Sequence, residues 1–223
     1  MTKLASAVAP AMAASPEPVW EQYAHALQQA FVATPDAEQA MAQELRQATH
    51  WLYNALVEEP NFRNRFLLCP EREDCDAPTW SQTLYESKSI RAGLLSVYRD
   101  TPVPLHDHPG SIGVTLVLSG VAKVEYATIV DSANTQGLAT LELIRVRERL
   151  PGQVCWFFEH DRNIHGIEAI TASALLLVMH LPNIDAEKQN LYFPVNETRP
   201  DEGNTFLANR VKLRRGQSQT DHY

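Results

Sequence analysis

Pro104-Leu105-His106-Asp107-His108-Pro109-Gly110-Ser111-Ile112-Gly113 runs into an apolar stretch over residues 114–118 and a Ser119-Gly120 turn signal. On an extended backbone side chains alternate, so two histidines one residue apart project to the same side. The Pro-rich approach and the Gly-rich exit fit such a backbone beside a turn. This is a metal-ligand spacing. Isolated histidine pairs are more often solvated or bonded to the core, so the metal reading needs a third ligand downstream.

Outward from this stretch the texture is that of a β protein. Short apolar or β-rich runs occupy residues 84–85, 90–98, 114–118, 121–129, 139–146, 154–158, 164–169 and 174–181. Turn signals separate them at Ser119-Gly120, 131–137 and Pro151-Gly152. Many short strands without interleaved helices imply a sandwich or barrel, and a jelly roll fits best. The barrel is expected over residues 83–195. Upstream, Trp20, Tyr23, Leu27 and Phe31 recur at helical spacing, as do Met41, Leu45, Ala48, Leu52 and Leu56, with Pro35-Asp36 between the two sets. Residues 19–82 therefore read as a helical extension packed on the barrel, its last third a short helix or loop. The Ala-rich start imitates a secretion signal but is broken by Pro10, so residues 1–18 read as a disordered terminus. Residues 196–223 are polar enough for an irregular tail.

The chain has 223 residues, suited to one domain with appendages. Nineteen basic against twenty-seven acidic residues give a net charge of −8, which argues against a nucleic-acid or anionic-membrane surface. The basic cluster over residues 210–215 reads as a solvated end. Cys69, Cys75 and Cys155 form neither a disulfide framework nor a Cys-type metal site, in keeping with a cytoplasmic protein. No apolar stretch reaches transmembrane length. Oligomeric state is not readable.

Two histidines compete for the third ligand position. His165 lies in the extended Asn163-Ile164-His165-Gly166-Ile167 segment, whereas His160 sits in a polar turn with Asp161 and Arg162. In a jelly roll, a hairpin carrying the first pair and a later strand carrying one more histidine line the same barrel mouth. His165 is the better candidate. After His108 no carboxylate follows until Glu125, where cupin metal sites commonly place a glutamate a few residues after the His-x-His pair. The 104–110 and 162–167 motifs together resemble the thiol dioxygenases, especially the cysteamine dioxygenase and plant cysteine oxidase branch, over roughly residues 84–195.

That resemblance implies a mainly β cupin jelly-roll barrel with an N-terminal α-helical extension. It also implies iron(II) on His106, His108 and His165, and oxidation of a small thiol by O2 to its sulfinic acid. The thiol is cysteine, cysteamine, 3-mercaptopropionate or a relative. Three neutral imidazoles leave the ion's full 2+ charge to an incoming thiolate, and three protein ligands leave positions open for sulfur and dioxygen. No residue is assigned to an organic cofactor. The alternatives are another metal-dependent cupin, such as an isomerase or ring-cleaving dioxygenase, and a non-catalytic cupin that binds a small ligand.

Four further positions bear on the resemblance. His180 stands where cysteine dioxygenases have the histidine of a Ser-x-His-x-Tyr set, flanked here by Val178 and Pro182; it is the candidate catalytic residue, against a core histidine bonded to a carbonyl. Lys88, Arg91 and Arg99 are the nearest candidates to grip a substrate carboxylate, and none lies in a convincing motif. Gly113 occupies the place of the cross-linked cysteine of the mammalian enzyme and can form no such link. Cys155 reads as a small buried apolar side chain.

Overall fold

The computed structural model describes residues 20–23, 25–26, 38–63, 79–88, 90–131, 137–157, 163–181, 189–196 and 204–212. The expectations for residues 1–18, the turn at Pro35-Asp36, Cys69, Cys75 and His160 lie outside them. Two compact units divide the chain, Met1–Pro60 and Asn61–Tyr223.

In the first unit, helix α1 spans Glu38–Glu58, rich in Ala, Leu, Glu and Gln and free of Gly and Pro. Ala48, Leu52 and Leu56 recur every fourth residue and are buried, as the periodicity expects. Residues 20–23 are helical too, and the Tyr23 hydroxyl lies 2.8 Å from Thr49 Oγ1, a buried hydrogen bond between the two segments. No helix among the described residues is long and apolar enough to cross a membrane.

Every strand pairing among the described residues of the second unit is antiparallel. Its strands are β1 (Thr79–Glu86), β2 (Arg91–Tyr98), β3 (Val103–His106), β4 (Ile112–Ser119), β5 (Ala122–Asp131) and β6 (Leu138–Arg149), then β7 (Val154–Phe157), β8 (Ile164–Ala169), β9 (Ser173–Leu181), β10 (Asn190–Pro194) and β11 (Thr205–Lys212). One sheet runs β1-β2-β9-β4-β7, and β10-β11-β6-β5-β8-β3 closes into a ring. Between β2 and β5, and again between β6 and β10, each step takes the chain from one sheet to the other. That alternation gives a jelly roll, with a core made where the inner faces meet. Val97, Val103, Val117, Val124, Cys155, Ile167 and Leu176, drawn from both sheets, form that core. The mainly β class expected from the sequence is the one observed.

Three strands escape the sequence reading. β3 contains Pro104, which would exclude a central strand, but its pairing with β8 shifts register between Val103 and His106, where a missing N–H is tolerated. The short β10 follows a stretch outside the described residues. β11 corrects the expected irregular tail over 196–223: Thr205–Lys212 pairs with both β10 and β6 and completes the ring. Within it only Ala208 is fully buried, so its composition imitates a tail while its backbone serves the ring. At the other boundary, β1 begins at Thr79, inside the segment expected to be helical or loop.

Candidate metal centre

β3 ends at His106, and the chain continues through Asp107 and His108 to Gly110, whose φ of 76° lies in the left-handed region that glycine adopts without strain. His165, second residue of β8, lies directly opposite His106. Cross-strand partners share a face, so the two imidazoles converge, and His108 joins them from two residues further on. Ring centroids are 4.3 Å apart for His106 and His165, 4.6 Å for His106 and His108, and 5.2 Å for His108 and His165. One donor atom from each lies within 4.8 Å of the others, a span that one ion can bridge.

Electrostatics keep these rings ready to bind a cation. All three are buried, and burial pushes each imidazole's pKa below its ordinary value. For His108 and His165 the fall is large and neighbouring imidazoles deepen it. At neutral pH each ring is therefore uncharged, with one nitrogen lone pair to offer.

Hydrogen bonds decide which nitrogen that is. His106 Nδ1 donates to the Pro104 carbonyl at 2.9 Å, and His165 Nδ1 donates to the Asn163 carbonyl at 3.1 Å. Both rings thus carry their proton on Nδ1 and leave Nε2 bare, the arrangement of metal-ligating histidines. For His108 the partner is the Gln189 side-chain amide, whose Nε2 as placed lies 2.5 Å from Nδ1 and would donate to it. An amide turned so that its Oε1 accepts from Nδ1–H gives His108 the same tautomer as the other two. Asn163 also ties the motifs together, its Oδ1 accepting from the His108 backbone N–H at 2.8 Å. The donor set fits a divalent transition ion.

Between His106 and His108, Asp107 turns the other way. Its buried carboxylate accepts from the Asn190 backbone N–H at 2.7 Å, Asn190 Nδ2 at 2.8 Å and the Tyr192 hydroxyl at 2.7 Å. Three donors satisfy the charge and pin β10 to the segment that carries His106 and His108.

The facing sheet supplies the opposite wall. Phe157 on β7, Gly113 on β4, His180 on β9 and Arg91 on β2 are successive cross-strand partners and so form one row on one face. His180 lies 4.6 Å from His108 between ring centroids. Its Nδ1 is buried with no hydrogen-bond partner, and burial, with His106 and Arg91 nearby, pushes its pKa down to about 3. Arg91 is exposed beside it. Of the other two cations considered, Lys88 is exposed. Arg99 donates from Nε and Nη2 to the Ile170 carbonyl at 3.0 and 2.5 Å. Glu125 is held 3.2 Å from Lys123 and is not in the histidine group. Cys155 belongs to the apolar core, and burial pushes its thiol pKa up.

The sequence reading thus named residues that the fold brings together: His106, His108 and His165, with His180 beside them. It missed Gln189, Phe157 and the tie made by Asn163. Asn163 lies within the motif that marked His165, whereas Gln189 and Phe157 carry no local signal and act only through register.

Three neutral imidazoles at one end of an antiparallel jelly roll define a candidate metal centre of the cupin type. The family model described as PCO_ADO matches residues 41–215, and the chain belongs to that family. The resemblance carried by the two histidine motifs therefore holds. A human relative named 2-aminoethanethiol dioxygenase is 26% identical over 153 residues, which cover 57% of this chain and 57% of that protein. The chain thus matches little more than half the length of that relative. Among solved structures, KdgF from Halomonas sp. is 16% identical at a TM-score of 0.38, covering 50% of this chain and 86% of its own. A cupin superfamily protein from Desulfitobacterium hafniense is 19% identical at a TM-score of 0.37, covering 52% and 86%.

Proposed function

We propose that the chain is an iron(II)-dependent thiol dioxygenase, with His106, His108 and His165 holding the metal and His180 acting on the bound reactants. The observation that carries this reading is a donor set of three neutral imidazoles without a carboxylate among the described residues. Such a set leaves the ion's charge uncompensated and favours an anionic sulfur ligand. Iron(II), if bound there, would pass electrons from sulfur to dioxygen and draw a thiol toward its thiolate form.

The chain's own groups do the rest. The Pro104 and Asn163 carbonyls and the Gln189 amide hold the three rings in register. His180, neutral at physiological pH and without a protein partner at Nδ1, is assigned the hydrogen bond to the reacting sulfur or oxygen, and that unpartnered nitrogen supports the assignment. The net reaction adds both atoms of O2 to sulfur, R–SH becoming R–SO2H, so no further reductant is needed. The human relative's name puts 2-aminoethanethiol first among candidate substrates. Arg91 beside His180 offers an anchor to a thiol that bears a carboxylate, so cysteine and 3-mercaptopropionate follow.

Protein loaded anaerobically with Fe(II) is expected to consume O2 only when a small thiol is added, forming sulfinate mole for mole. Failure of every thiol on such a panel to stimulate oxygen uptake would sink the assignment.

A further inference from the structure

Gly113 has no backbone reason to be glycine. It lies in β4, and the positive-φ glycines are Gly110, Gly120, Gly137 and Gly152. The reason is space: a Cβ built at Gly113 would fall within the Phe157 ring. Phe157, its cross-strand partner, therefore lies down across the bare position instead of standing off the sheet. Where the ring comes to rest is specific. It stacks on His165 with centroids 3.8 Å apart and planes 22° from parallel, and on His108 at 5.3 Å and 21°. Its centroid is 6.2 Å from that of His180. One aromatic ring thus backs two of the three imidazoles, and His180 of the same sheet approaches His108 beside it.

We propose that Gly113 and Phe157 form a matched pair that positions the metal-binding imidazoles, the glycine's missing side chain being the slot that lets the ring support His108 and His165. Phe157 also fills the Gly113 end of the row, which directs the tail of a bound thiol toward His180 and Arg91 at the other end. Hydrogen bonds at Nδ1 fix each imidazole at one edge but leave it free to tilt about that edge. A stacked ring removes the tilt. This inference rests on the metal-centre reading, and concerns what holds the ligands' planes.

The test is a double-mutant cycle read on Co(II), which binds such sites and reports their geometry in its visible spectrum. In the wild-type background Gly113→Ala drives the ring onto the imidazoles, and Co(II) affinity is expected to fall by about tenfold or more with an altered spectrum. In the Phe157→Ala background the same Gly113→Ala change is expected to have no effect on affinity, spectrum or melting temperature. Should Gly113→Ala itself fail to fold, recovery of folding in the double variant reports the same coupling. Phe157→Ala alone, folded, is expected to shift the Co(II) spectrum, which a merely space-filling ring would not do. A Gly113→Ala effect equal in both backgrounds, or absent from both, overturns the proposal while leaving the metal centre standing. A wild-type protein that binds no Co(II) defeats both.

Discussion

At the scale of single residues, the four histidines of the site have distinct assignments. His165 brings its Nε2 to the cluster from a strand that shares no local sequence with His106 and His108. His165→Ala is expected to abolish stoichiometric metal binding, and His160→Ala to retain it, both measured by metal content after anaerobic loading and desalting. The reverse pattern would transfer the ligand role to His160. For His180, replacement by Gln is expected to keep the metal and lose most turnover, about a hundredfold or more for a group that exchanges a proton or hydrogen bond with the reactants. Unchanged kinetics would return His180 to the core. These residues were legible because imidazoles advertise themselves: a His-x-His pair and a histidine in an extended segment are visible without the fold. Phe157 and Gln189 were not. A phenylalanine in an aromatic run and a glutamine before a short strand look like any others until the register sets one against Gly113 and the other against His108.

At the scale of elements, the short β3 depends on β10 for its place, and Asp107 is the link. Asp107→Asn keeps the shape but turns an acceptor into a donor facing donors of Asn190 and Tyr192. The expected cost is about 2–4 kcal/mol of unfolding free energy, because a buried charged acceptor is lost and its partners are left unmet. Urea unfolding of the metal-free protein measures it, and a change below about 0.5 kcal/mol would mean the link is replaceable. The same elements show why fold legibility was uneven. β2, β4, β5, β6, β8 and β9 are apolar runs bounded by turns, and periodicity finds such strands. β3 is masked by Pro104, and β11 by its exposed polar side chains, among them Asn209, Arg210 and Lys212. Both exist because neighbouring strands need partners for their backbone groups, a requirement that composition does not record.

For the molecule as a whole, the buried neutral imidazoles tie stability to pH. In the unfolded chain a histidine titrates near 6.5, while in the fold burial holds these rings unprotonated, His180 down to about 3. Below pH 6.5 the unfolded chain therefore takes up protons that the folded chain refuses, and the balance shifts toward unfolding. Metal-free protein is expected to hold its full stability above about pH 6.5 and to lose up to roughly 1.4 kcal/mol per pH unit for each such histidine as the medium acidifies. Replacing His180 by Phe should flatten part of that slope, and a stability independent of pH between about 7.5 and 5 would contradict the account. Closure of the ring has a consequence of another kind. β3 meets β10 through Leu191 opposite His106 and Tyr192 opposite Leu105, and meets β8 through His106 opposite His165. The strand that carries a candidate ligand is also the keystone of the hoop. A molecule whose hoop has sprung has lost its histidine cluster and bares the edges of β8 and β10 to neighbouring chains; assembling the centre and sealing the barrel against self-association are one event.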